Sequence, residues 1–166
     1  MLITDYLPLL KEPNLITLIV RTLLAILCAG IIGYDRNTRG APAGFRTHIL
    51  VCLGAMIAMS TGQYAAMQYN ADVTRIGAQV VSGIGFLGAG SIIVNKRRIS
   101  GLTTAAGLWA SACIGLAIGI GFYEGAIIGT IAVYFTERVL RGLSKKIIEK
   151  NVSDEDDADS FPVIDD

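Results

Sequence analysis

Four stretches of this chain are nearly free of charge, Leu15 to Tyr34, Thr47 to Met67, Ile76 to Val94 and Leu102 to Phe135. Each can supply the roughly 20 residues of helix that cross a hydrocarbon core about 30 Å thick. The last is too long for one helix and long enough for two short ones that turn at Gly121-Phe122-Tyr123-Glu124-Gly125. The expected fold is therefore all-α and polytopic, with five transmembrane helices, or four if the final hairpin does not span. The fifth is the weak member, because Gly125 to Thr136 holds only twelve uncharged residues before Glu137 and Arg138. With 52% hydrophobic and 17% charged residues, the chain lies outside the range of ordinary soluble domains. Its polar loops are too short to hold one.

Charge placement tests the fifth span independently. With five spans, one side of the membrane receives Arg36, Arg39, Arg46, Lys96, Arg97, Arg98, Arg138, Arg141, Lys145, Lys146 and Lys150, and the other only Lys11 and Arg75. That asymmetry places the N-terminus outside and the C-terminus in the cytoplasm. The expected organisation is an extracytoplasmic segment 1–14, a transmembrane domain 15–140, a basic amphipathic helix end 141–152 on the inner leaflet, and an acidic tail 153–166 too polar to bury a core. No secretory signal is expected in Met1 to Asn14, which lacks a basic start and contains Pro8 and Pro13. Asn14 reads as the cap of the first helix.

Few residues offer chemistry. Cys28, Cys52 and Cys113 lie singly in three spans, without metal or redox spacing, and read as small packing residues. His48 is the only histidine and reads as a polar residue at a helix end. No nucleophile, base and acid set can be assembled, so neither enzymatic activity, a cofactor nor a nucleic-acid partner is expected. In the third span Gly83, Gly85, Gly88 and Gly90 match the dinucleotide fingerprint letter for letter, yet no strand precedes them. Close helix packing is the favoured reading, and a broken helix lining a site is the alternative. Gly107, Ser111, Gly115 and Gly119 recur every fourth position on helix four, and Gly125 with Gly129 opens a similar stripe on helix five. Such stripes let helices approach closely in lipid, and they predict a homodimer or other homo-oligomer through helix four or five. A shift of 57 residues superposes Gly33 on Gly90, Gly44 on Gly101, Thr47 on Thr104 and Gly62 on Gly119, the pattern of two helical hairpins in parallel repeat.

The run Gly33-Tyr34-Asp35-Arg36, then Ala43-Gly44-Phe45-Arg46-Thr47, the block from Gly83 to Gly90, and Gly101-Leu102-Thr103-Thr104-Ala105-Ala106 with Leu108-Trp109 together resemble the MgtC/SapB family of bacterial inner-membrane proteins. The resemblance covers about Arg21 to Tyr134. Asp35 stands where the family usually has Glu, and Thr103 where its virulence-associated branch tends to have Asn. The short acidic tail is similar to the shorter SapB-type architecture, which lacks that branch's soluble C-terminal domain. The resemblance implies a link to magnesium limitation and envelope physiology. Magnesium, as a candidate ligand, asks for oxygen ligands and keeps several waters, and no carboxylate falls near the middle of a span. Two functions from different classes follow: a small ion transporter, or a regulator that binds other membrane protein complexes.

Two specific expectations follow for the site. Asp35, Arg36, Arg46, Thr47, Thr103 and Thr104 should form a polar cluster on the cytoplasmic side, where the free amides of the helix starts at Gly44 and Gly101, with Arg46, would favour an anion or the Asp35 carboxylate; two capped helices beside a surface ion pair are the alternative. Arg21, about 10 Å into the first span, needs a partner inside the bundle or a route to water. Glu124 is the expected partner, with Asp72 the alternative unless it pairs with Arg75.

Overall fold

The computed structural model describes residues 10–95 and 98–140. The amphipathic segment 141–152, the acidic tail 153–166 and most of the N-terminal segment lie outside the described residues. The chain divides into two compact units, Met1–Tyr134 and Phe135–Asp166. The first holds helices α1 (Leu15–Thr38), α2 (Phe45–Tyr69), α3 (Val73–Ala89) and α4 (Leu102–Ile120), strands β1 (Ile93–Asn95) and β2 (Arg98–Ser100), and nearly all of α5 (Tyr123–Phe135). Among the described residues, the second unit contributes Phe135 and a π-helical turn over Thr136–Leu140.

Among the described residues three helices are long and apolar enough to cross a membrane, α1, α2 and α4, while α3 with 17 residues and α5 with 13 are shorter. The helix ends have local causes. Asn14 caps α1, its side-chain oxygen accepting from the Thr17 amide at 2.9 Å, as expected of that residue type. Beyond Tyr34, α1 runs a further turn, because Asp35 and Arg39 pair at 2.7 Å and Arg36 suits the negative end of the helix. The turn expected near Gly121 is present. Gly121 adopts a left-handed φ of 89°, its amide and that of Phe122 return to Ile118 and Ala117, and the chain reverses into α5.

α1, α2 and α4 form the centre. Ala25, Cys28, Ala29 and Ile32 of α1, Cys52 and Met56 of α2, and Ile114 and Ile118 of α4 pack together, joined by Tyr123 and Ala126 of α5. The stripe on helix four sets the spacing. A Cβ on Gly115 would collide with the Cys52 carbonyl oxygen, and one on Gly119 would lie 2.6 Å from that of Met56. Gly107 and Ser111 are buried on the same face, and Gly129 lies against Ile114. The stripe is thus occupied within the chain, by α2. Gly125 faces the ring of Phe122.

Helix α3 differs from the expectation. Only Gly77 and Gly88 of its residues are buried, and Gly88 rests on Ala105. A Cβ on Gly83 or Gly85 would meet nothing. The helix is continuous through both, so these glycines neither break it nor pack it within the chain. Gly90 only caps its end. In the basic segment that follows, β1 and β2 pair antiparallel, with Ile93 opposite Ser100, Val94 opposite Ile99 and Asn95 opposite Arg98.

Candidate functional site: two buried polar clusters

The bundle buries polar groups at two levels, separated by the apolar centre. The first level lies where α1 begins and α2 and α4 finish. Arg21 is fully buried there, because the small neighbours Ala25, Cys28 and Ala29 turn this face of α1 inward. Its Nε donates to the Tyr123 hydroxyl at 3.2 Å. Its Nη1 donates to the Gly119 carbonyl at 2.6 Å, the Gln63 side-chain oxygen at 2.8 Å and the Ser60 hydroxyl at 3.3 Å. Its Nη2 reaches the Leu10 and Lys11 carbonyls at 3.5 Å each. The acceptors are themselves held: Ser60 donates to Gly119, Tyr123 to Leu10 and Gln63 to Lys11.

Every acceptor of Arg21 is neutral. The cation is stabilised by the carbonyls that end α4, where the helix dipole is negative, and by hydroxyl and amide oxygens from α2 and α5. This corrects the expected pairing: the hydrogen bonds of Arg21 reach neither Glu124 nor Asp72. Asp72 instead caps α3, accepting from the Thr74 amide at 2.8 Å and hydroxyl at 2.7 Å. Those two bonds, with a smaller contribution from Arg75, hold its carboxyl below the usual range. Ser60 and Gln63 stand three apart on α2 and so share a face, and Tyr123 precedes Glu124; all three are uncharged, so no carboxylate pattern in the sequence marks them.

The second level lies where α1 finishes and α2 and α4 begin. Arg36 donates to the Thr104 hydroxyl across the interface between α1 and α4, and Asp35 lies beside it, paired with Arg39. The other expected members do not enter the interior. Arg46, Thr47 and Thr103 are exposed, and the Thr47 hydroxyl donates to Gly44 at the start of its own helix. Arg46 and Thr47 line a surface recess of about 490 Å³ with Tyr34, Asn37, Gly44 and Phe45. The helix geometry explains the split. Positions 46 and 47 lie on the outward side of the first turn of α2, and His48 is the residue that turns in.

His48 is the residue whose place the sequence concealed. It is fully buried, its Nδ1 lies 2.8 Å from the Ser111 hydroxyl of α4, and its Nε2 is buried without a hydrogen-bond partner. Its spacing to Cys52 and Met56 on α2, four residues at each step, was the available signal.

Between the levels lie Ala29, Ile32, Cys52, Met56, Ile114 and Ile118. Chemically, the arrangement fixes a guanidinium at each end of an apolar plug. Among the described residues no group of three or more His, Cys, Asp or Glu is placed to hold a metal ion.

A family model described as "MgtC family" matches residues 22–146. The chain is 40% identical over 139 residues to the "Putative magnesium transporter YhiD" of Escherichia coli K12, covering 80% of this chain and 65% of that protein. It is 39% identical over 138 residues to "Protein MgtC" of Salmonella typhimurium LT2, covering 82% of this chain and 58% of that protein. An uncharacterized Haemophilus influenzae protein is 38% identical over 138 residues, covering 78% of this chain and 58% of its own length. The chain thus spans 58 to 65% of the length of these relatives. No solved structure matches it.

Proposed function

The chain belongs to the MgtC family, and from that membership we propose that it is a bacterial inner-membrane protein of magnesium homeostasis that regulates other membrane complexes rather than conducting the ion through its own bundle. The observation that carries this reading is Arg21, fully buried and held by neutral oxygens. A magnesium ion passing about 5 Å from that guanidinium would meet a repulsion of roughly 7 kcal/mol at an effective dielectric constant of about 20. The apolar plug beyond it, Ala29, Ile32, Cys52, Met56, Ile114 and Ile118, offers no side-chain oxygen to replace the waters that magnesium gives up reluctantly. Partners on this reading are the lipid bilayer and other membrane proteins, a second copy of the chain included.

The proposed topology has five spans, with α1 entering from outside and the chain leaving α5 on the cytoplasmic side. Eleven cations then face the cytoplasm against two outside, as the positive-inside rule requires. The level around Arg21 lies toward the outer face, and the level around Arg36, Thr104, His48 and Ser111 toward the inner one.

The Escherichia coli relative named a putative magnesium transporter favours the other reading. Purified protein in liposomes loaded with a magnesium-sensitive dye separates the two. The regulator reading expects no signal above empty liposomes under an imposed gradient. A saturable influx that depends on the protein would overturn it.

A further inference from the structure

The strands β1 and β2 between α3 and α4 form a hairpin whose register sets which residues share a side. Opposed residues of an antiparallel pair share a face, and successive residues alternate between faces. The Val94 and Ile99 pair therefore forms one face, and both residues are exposed, at 71% and 61%. Ile93 with Ser100 and Asn95 with Arg98 occupy the alternate positions. The hairpin thus carries an exposed, wholly apolar cross-strand pair in Val94 and Ile99, while Ile93 and Ser100 at the neighbouring position pair an apolar residue with a polar one and are exposed as well.

Such a two-stranded unit is marginal in water. Here its base is fixed. Gly101 has a left-handed φ of 91° and lies so close to the Ser91 carbonyl that no Cβ fits, while the Ser91 hydroxyl donates to Gly88 at the end of α3 at 2.7 Å. On either side of the hairpin in sequence, Phe86 at 87% exposure, Leu87 and Leu102 present further apolar surface. These belong to the apolar helices that enter and leave the hairpin.

We propose that this hairpin is an interfacial anchor, with its Val94 and Ile99 face set into the acyl boundary of the bilayer. The apolar surface it would join is that of Phe86, Leu87 and Leu102 on the flanking helix ends. A water-facing role would leave the pair Val94 and Ile99 hydrated with nothing gained. The local sequence Lys96-Arg97-Arg98 gives the segment a positive charge that suits the headgroups of an anionic leaflet. The hairpin therefore lies along the membrane surface instead of projecting from it, and it holds the ends of α3 and α4 at a common depth. The inference rests on the chain being membrane-embedded.

The test uses the full chain carrying Trp109→Phe, with Val94→Trp or Ile99→Trp as a single reporter, in liposomes of phosphatidylcholine and phosphatidylglycerol. Brominated lipid reports contact with acyl chains, and acrylamide reports contact with water. Leu23→Trp, on an exposed part of α1, is the bilayer control. The proposal expects both hairpin reporters to be quenched by brominated lipid within about twofold of the control, and Ser100→Trp, on the alternate face, to be quenched mainly by acrylamide. Acrylamide quenching of Val94→Trp and Ile99→Trp alongside a lipid-quenched control would overturn the hairpin proposal alone. Shielding of both from either reagent would overturn it in favour of a protein partner. An unquenched Leu23→Trp would remove the membrane premise itself, and the proposal with it.

Discussion

Replacing Arg21 by Met keeps most of the side-chain volume and removes every donor. Four hydrogen bonds of 3.3 Å or shorter disappear, to Gly119, Gln63, Tyr123 and Ser60. Ser60 and Tyr123 keep the bonds they themselves donate, to Gly119 and Leu10, so the uncompensated loss falls on the Gln63 oxygen and on the second lone pair of the Gly119 carbonyl. Hydrogen bonds between membrane helices average about 0.6 kcal/mol and reach about 1.7, and a charged donor places these toward the upper end. The expected destabilisation is about 3 kcal/mol, close to a hundredfold in the folding equilibrium. Detergent-induced unfolding in mixed micelles, followed by Trp109 fluorescence and far-UV circular dichroism, measures it. Arg21→Lys should recover only part of the loss, since a single ammonium cannot span Tyr123, Ser60, Gln63 and Gly119 together. A cycle of Arg21→Met with Gln63→Leu should show a coupling of about 1 kcal/mol. Exchanging the charges of Arg21 and Glu124 should restore nothing. A loss below about 0.5 kcal/mol for Arg21→Met, or a rescue by the exchange with Glu124, would refute the reasoning, because either would mean that the neutral cage is not what holds the cation.

The remaining predictions concern helix contacts and a cap. Gly115→Ala should destabilise the bundle by about 1–3 kcal/mol in the same unfolding assay, because its methyl group would overlap backbone of α2, which cannot turn aside. Gly54→Ala and Gly83→Ala, whose added carbons meet nothing, should be neutral or stabilising by up to about 1 kcal/mol from helix propensity. At the start of α3, the lowered carboxyl of Asp72 means that the cap is present above the ordinary carboxylate range and is lost as the pH falls through the lowered folded-state value. Hydrogen exchange at the Thr74 amide should therefore quicken at low pH in the wild type, and should be fast and nearly independent of carboxyl titration in Asp72→Ala once intrinsic exchange is subtracted.

The apolar stretches determined that the chain is helical and built for a membrane, because burying uncompensated backbone in lipid leaves few alternatives to the helix. Local signals were equally legible. Asn14 caps its helix as its side-chain chemistry demands, and the reversal at Gly121 follows from a residue that tolerates positive φ. The family motifs also stand in the sequence itself. What the sequence did not disclose was which side chains meet. Arg21 was expected to find a carboxylate, whereas the end of α4 and three neutral side-chain oxygens, brought from 39 to 102 positions away in sequence, surround it instead. Of the six residues expected to cluster at the other end, the fold draws Arg36 to Thr104 across an interface and leaves Arg46, Thr47 and Thr103 outside, while burying His48 beside Ser111. Glycine spacing predicted packing for both α3 and α4, but only α4 has a neighbouring backbone against every position of its stripe from Gly115 to Gly119. The reason is common to these cases. Periodicity fixes which residues share a face of one helix, whereas the rotation and depth at which that face meets another helix depend on close contacts summed over the whole bundle, and those exist only once the helices have docked.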